Sequence, residues 1–292
     1  MRKLLVSIFF IFVITNLLGS CHRDDDDLEN VLNIQTIDPT KYDTIVVDRI
    51  VHDTVFVDSI SYDTVFVDSI IHDTIVLYGF SVLGNSISTY QGYIPEGYDC
   101  HYNPSNLKAG DTWWMQFAEI SGIPLNSNAS WSGSTVSSAR KKADSWFFSD
   151  RRINDLSRHG TPKYIIVLGG TNDWGCDKCD LGTSYSTKSY KNFSGAYSLL
   201  VSKLKAKYPY TDIICCSILP RKQGFFTPNA KGWTIHDGDS CIREIAALYG
   251  AKFIDMSDCG IDQPITDYTT DGVHPNAAGM KLVSDCLYRK FF

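Results

Sequence analysis

The 292-residue chain is 43% hydrophobic, 21% charged and 13% aromatic, with 27 basic and 33 acidic side chains and a formal charge of −6. That composition excludes a disordered, collagenous or multi-span membrane protein, and no basic face invites nucleic acid. The acidity is local: residues 21–74 carry 3 basic and 13 acidic side chains, whereas residues 75–292 carry 22 and 20.

Met1-Arg2-Lys3 gives a positive start, Leu4 to Leu18 is almost wholly apolar, and Leu18-Gly19-Ser20-Cys21 closes the segment with small residues before a cysteine. This predicts a cleaved export signal over residues 1–20, since the apolar run falls short of the roughly 20 residues a spanning helix needs. The Leu-Gly-Ser-Cys ending resembles a bacterial lipoprotein signal, which implies that Cys21 carries lipid and becomes the mature first residue. The following His22-Arg23-Asp24-Asp25-Asp26-Asp27 resembles the acidic export tag of Bacteroidetes surface lipoproteins. The resemblance implies an envelope protein on the outer membrane, facing outward, with a membrane as partner through the anchor.

A ten-residue unit then recurs, as in Tyr42-Asp43-Thr44-Ile45-Val46-Val47-Asp48, His52-Asp53-Thr54-Val55-Phe56-Val57-Asp58 and Tyr62-Asp63-Thr64-Val65-Phe66-Val67-Asp68. Each copy is shorter than any solenoid repeat. Residues 21–74 are therefore expected to be an acidic linker and a β-branched stalk, whose residues 42–74, drawn out as one thread, would reach on the order of 110 Å. An oligomerising β or coiled stem is the rival expectation.

Residues 75–292 form the third segment. Tyr78 to Gly84, Tyr164 to Gly169, Thr211 to Ser217 and Ala251 to Met256 are short apolar runs suited to strands buried on both faces. Helical spacing follows them at Phe193, Tyr197, Leu200 and Leu204, at Cys241, Ile245 and Leu248 before Gly250, and at Met280, Val283 and Leu287, with Pro275 placed for a first turn. Strands alternating with helices predict an α/β three-layer sandwich around a central parallel sheet. Ligands bind such sheets at the carboxyl ends of the strands.

Those ends carry Gly84-Asn85-Ser86-Ile87-Ser88, Gly170-Thr171-Asn172-Asp173 and, near the C-terminus, Asp271-Gly272-Val273-His274-Pro275, with Asn128-Ala129-Ser130-Trp131-Ser132-Gly133 between the first two. In this order the four blocks resemble the SGNH (GDSL) hydrolase superfamily over roughly residues 76–290. The resemblance implies a flavodoxin-like fold and a metal-independent serine esterase without cofactor. Position by position it makes Ser86 the nucleophile, His274 the general base and Asp271 its orienting group, with the oxyanion hole formed by Ser86, Gly133 and Asn172.

The chemistry of the residues agrees with that assignment. A serine hydroxyl needs an adjacent base to take its proton and return it to the leaving alcohol. His274 alone among the seven histidines has a carboxylate three residues before it and a helix after it. No G-x-S-x-G elbow surrounds Ser86, which removes the α/β-hydrolase signature. Asp255 and Asp258 are rival partners for the histidine, and Gly-Asn-Ser-Ile stands where the family's usual motif is Gly-Asp-Ser-Leu.

Trp131 and Trp174 lie inside these blocks and are candidate sugar-stacking residues. Trp113 and Trp114 fit a helix start in the core, and Gln91 to Asp111 is expected to form a flap. An esterase acting on a small acyl group of a carbohydrate is the leading expectation, and a non-catalytic glycan-binding lipoprotein is the alternative. Of the nine cysteines, Cys176 and Cys179 are the candidates for a local disulfide. Adjacent Cys215 and Cys216 should face opposite sides of a strand.

Overall fold

Five short runs build one parallel sheet: β3 (Phe80–Gly84), β4 (Leu125–Asn128), β5 (Tyr164–Leu168), β6 (Asp212–Cys216) and β7 (Lys252–Ile254), in the order β4-β3-β5-β6-β7. The computed structural model describes residues 42–54 and 66–292 apart from 141, 184, 186, 262 and 263, with side chains from residue 75. The strand order is the flavodoxin-like one, with the switch in direction at β3, so a crevice opens beyond the carboxyl end of that strand. Four strands coincide with the apolar runs. β4 was missed because Leu125-Asn126-Ser127-Asn128 is polar, as an edge strand can be. Its amides serve neighbouring segments, Asn126 donating to Gly160 O at 2.8 Å and Asn128 to Ser88 O at 2.8 Å.

Alternation along the strands divides the core in two. Leu83, Ile165, Val167, Ile213 and Cys215 pack on one face with α4 (Phe193–Lys207) and α5 (Ile235–Leu248). Phe80, Val82, Ile166, Ile214 and Cys216 pack on the other with α1 (Trp113–Ser121) and α6 (Ala277–Phe291). Cys215 and Cys216 thus face opposite sides, both as buried thiols. Local chemistry fixes the helix starts: Thr234 and Asp237 form a capping box on α5, and Asn192 and Asn276 cap α4 and α6. Asn276 takes the cap of α6, which leaves Pro275 outside the helix rather than in its first turn.

The predicted Tyr78–Gly84 strand is two strands. Gly79, at φ +58°, turns the chain between them, and any Cβ there would run into the Pro124 carbonyl. Before it, β1 (Tyr42–Thr54) and β2 (Phe66–Tyr78) pair antiparallel from Tyr42 opposite Tyr78 to Thr54 opposite Phe66. The described part of the repeat is therefore folded back on itself, not drawn out as one thread, and a 13-residue strand spans only about 43 Å. Strand β2 also runs through the expected boundary at residue 75. The export signal, Cys21 and the acidic run lie outside the described residues.

α5 is tied to the segment after β6 by a buried carboxylate: Asp239 Oδ1 accepts the Ile218 N–H at 2.7 Å, while Oδ2 has no partner among the described residues. Burial, aided by the nearby Asp255 charge, pushes Asp239 up to about 8 against that single hydrogen bond. The folded protein holds this proton where the unfolded chain, with a carboxyl near 3.9, has released it, so the group's contribution falls as pH rises from about 4 to about 8. Asp239→Asn should remove this slope and melt above the parent at pH 8 while matching it more closely at pH 5. Thermal melts of both proteins across that range test it.

Candidate active site

The end of β3 hands the chain to a tight turn. Asn85 is buried and its Oδ1 accepts the Ile87 N–H at 3.0 Å, capping a short 3₁₀ turn over Ser86–Ser88. Ser88 holds that turn down: its carbonyl accepts from Trp114 Nε1 at 3.0 Å and Asn128 Nδ2 at 2.8 Å, and its hydroxyl accepts from Trp113 Nε1 at 3.1 Å. Trp113 and Trp114 are thus core residues at a helix start, with a second task as props of the nucleophile loop.

His274 comes from a turn just before α6. Asp271 Oδ1 accepts the N–H groups of Val273 and His274, both at 2.9 Å, and Oδ2 lies 2.7 Å from His274 Nδ1. His274 Nε2 lies 2.9 Å from Ser86 Oγ. An ionised carboxylate only accepts hydrogen bonds, so in the neutral ring Nδ1 carries the hydrogen and Nε2 offers its lone pair to the serine hydroxyl. Partial burial works to raise the Asp271 pKa, but the hydrogen bonds from the His274 N–H, the ring and the Val273 N–H outweigh it and hold the carboxyl at about 2. Asp271 therefore stays ionised down to strongly acidic pH. Asp255 and Asp258 are elsewhere engaged, with Arg243 and Lys290 respectively.

Asn172 follows β5 in the short α3 (Thr171–Trp174), and its Nδ2 donates to Ser134 O at 2.8 Å. That bond sets the amide against the Ser134–Thr135 peptide, next to Gly133. Gly133 has φ +72° and keeps its loop close to the backbone without a Cβ. Trp131 N donates to Gly84 O at 3.1 Å, which brings the same loop to the end of β3. The blocks of Ser86, Gly133, Asn172 and His274 thus meet at one end of the sheet.

The sequence profile of the GDSL-like lipase/acylhydrolase family matches residues 78–291. The chain belongs to that family. Among solved structures, a GDSL-like lipase of Bacteroides uniformis is 26% identical, with TM-score 0.56 over 73% of this chain and 94% of that one. A second from Bacteroides ovatus is 23% identical, with TM-score 0.56 over 73% and 97%. No curated protein matches the chain. The protein is a serine hydrolase of the SGNH superfamily, and its family chemistry is ester hydrolysis.

The expectations for the tryptophans and the cysteine pair of this SGNH hydrolase change. Trp131 is 1% exposed, stacked on Tyr98 at 4.1 Å with Nε1 donating to Asp99 at 2.8 Å, and Trp174 is 6% exposed beneath the Arg221 guanidinium at 4.5 Å. Neither indole offers a free face for a sugar. Cys176 and Cys179 are separate thiols. The Cys179 Sγ turns inward to Ser137 Oγ at 3.2 Å and the Asp173 carboxylate at 3.7 Å, where burial pushes its pKa up.

Three supporting residues escaped the sequence reading. Asp173 is fully buried, and its two oxygens accept from Val136 N, Ser137 N and Ser137 Oγ at 2.7–2.8 Å, fixing the loop beyond Gly133. Burial raises its pKa against those hydrogen bonds. Arg152 is also fully buried and donates to the carbonyls of Gly84, of Ala129 at 3.0 Å and of Ser145 at 2.8 Å. His101, on the expected flap, stacks on the His274 ring at 3.8 Å and 14°, while Tyr102 OH donates to Pro275 O at 2.8 Å. The segment is thus a packed wall of the site more than a flap. Burial and the neighbouring His274 lower the His101 pKa, which keeps its ring a neutral partner. Replacing His101 by Ala should lower kcat on an activated ester by about tenfold with little change in KM, and His101→Phe, which keeps a flat ring, should recover most of the loss. Equal losses in both variants would refute the stacking role.

Proposed function

We propose that Ser86 attacks the carbonyl carbon of a small acyl ester on a carbohydrate, with His274 as general base and Asp271 as its orienting group. The contact of 2.9 Å between Ser86 Oγ and His274 Nε2, backed by that of 2.7 Å between Nδ1 and Asp271, carries this reading. His274 takes the serine proton as the tetrahedral intermediate forms, then returns it to the leaving alcohol. An acyl-enzyme remains, which water activated by the same imidazole resolves. Asp271 stabilises the imidazolium without being protonated.

The negative charge on the carbonyl oxygen falls to the N–H groups of Ser86 and Gly133 and the side-chain amide of Asn172. One hydrogen of that amide is spent on Ser134 O, and the other, without a partner among the described residues, is left for substrate. Loss of a single such donor typically costs about 2.7–4 kcal/mol of transition-state stabilisation. The carbohydrate and the small acyl group rest on the family resemblance and the lipoprotein-like start, since the two tryptophans lend no support. The same start supports a lipid anchor at Cys21 and a place on the outer surface of the envelope.

The purified protein should hydrolyse 4-nitrophenyl acetate and release acetate from acetylated oligosaccharides. Ser86→Ala should lower both activities by at least about 10³-fold. Turnover that survives the substitution would remove Ser86 from the mechanism, and a parent with no turnover that still binds glycans would favour the binding-only alternative.

A further inference from the structure

We propose that this site selects esters whose alcohol part carries a carboxylate, and that Arg140 and Arg221 recognise that anion. The inference rests on the serine-esterase reading above and adds the chemical class of the substrate. Arg140 Nη1 stands 3.2 Å from where a Cβ on Gly133 would lie, so its guanidinium covers the loop that offers the Gly133 N–H. Among the described cations nearby, Lys142 pairs with Asp99 at 2.6 Å and Arg151 with Asp144 at 4.0 Å. Arg140 has no carboxylate partner among the described residues, and only its backbone carbonyl is engaged, by Trp146 Nε1 at 2.6 Å.

Arg221 stands on the Asn172 side. Its Nη1 donates to Thr171 O at 2.9 Å and Thr171 Oγ1 at 3.0 Å, its Nε donates to Gln223 Oε1 at 3.0 Å, and the guanidinium lies over Trp174. All of these partners are neutral, and Nη2 has none among the described residues. The group is partly buried, the arrangement in which an arginine fork gains most from a carboxylate. The loop that carries it is joined to the histidine loop, with Lys222 N donating to Gly272 O at 2.9 Å and the Lys222 stem against Gly272. Among the described residues the carboxylate whose field reaches Arg221 is Asp271, and both its oxygens are hydrogen-bonded within its own turn, to Val273 and His274.

Two guanidinium groups, neither with a carboxylate bonded to it among the described residues, therefore border the oxyanion loops, Arg140 exposed beside Gly133 and Arg221 anchored on neutral groups beside Asn172. A neutral ester would leave Arg140 without a carboxylate partner and Arg221 with only the field of Asp271. An O-acetylated sugar acid, or another acylated hydroxy acid, places a carboxylate a few bonds from the scissile ester and would satisfy them while the acyl carbon sits at Ser86.

The test uses a pair of substrates that differ only in this charge, an O-acetylated methyl glucuronide and the matching O-acetylated methyl glucoside, with 4-nitrophenyl acetate as the neutral reference. The parent should prefer the acid by about tenfold or more in kcat/KM at low ionic strength, with the preference shrinking in high salt. Arg140→Gln and Arg221→Gln should each reduce the ratio of acid to neutral sugar several-fold, mainly through KM. Arg140 is exposed, so Arg140→Glu is a substitution the fold should tolerate, and it should depress the ratio further. Turnover of the aryl ester with no preference between the sugars, or a preference that all three variants keep, would overturn this inference alone. No turnover of any of the three esters would remove the esterase reading as well, and this inference with it.

Discussion

The site depends on one buried cation. Arg152 carries its guanidinium into the interior and spends it on the carbonyls of Gly84, Ala129 and Ser145. Gly84 ends β3 and Ala129 directly follows β4, so the loops of Ser86 and Gly133 that leave these strands share one rigid reference. Burial lowers the Arg152 pKa to about 9, against the pull of Tyr98 and Asp155. A guanidinium so placed is tolerated because several carbonyl dipoles converge on it, and those carbonyls would be left unpaired without it. Charge burial here serves geometry.

Asp173 does the same work with the opposite charge. It lies beside Asn172 and gathers the N–H groups of Val136 and Ser137, while Asn172 takes the Ser134 carbonyl. One short helix thus gives an amide and a carboxylate to the loop facing it. His101 and Tyr102 close the third side by holding the His274 ring and the Pro275 carbonyl. Each loop that presents a functional group is held by a buried polar group from a different segment, which is how loops come to hold a reacting constellation within the tolerance catalysis requires.

What was legible follows from what chemistry confines to short stretches. Strands buried on both faces are continuous apolar runs, and a serine, an asparagine and an Asp-x-x-His pair directly after or near them are visible because strand ends place them together. β4 was invisible, its polar residues pairing at a sheet edge without the apolar signal. Arg152 was invisible for another reason. It meets Gly84 across a separation of 68 residues, and an arginine in Asp150-Arg151-Arg152 looks like a solvated helix face until the fold turns one of the two inward. His101 carried no signal either, since nothing in its neighbourhood points to a ring so far along the chain. Trp131 and Trp174 misled in the opposite sense: they occupy blocks that carry function, yet large aromatic rings are the cheapest means of filling the core behind such loops.

The departure Gly-Asn-Ser-Ile can be judged in the same terms. The side chain at position 85 is asked for one oxygen, to accept the Ile87 N–H and start the turn that presents Ser86. Aspartate and asparagine both supply that oxygen and both rank among the best N-caps. The buried position would charge an aspartate a desolvation cost that asparagine escapes, and asparagine leaves Asp271 as the carboxylate that sets the field at His274. Loss of the family's charge at this position therefore leaves the nucleophile turn intact, and the electrostatics of the site pass to Asp271 on one side and to the guanidinium groups of Arg140 and Arg221 on the other.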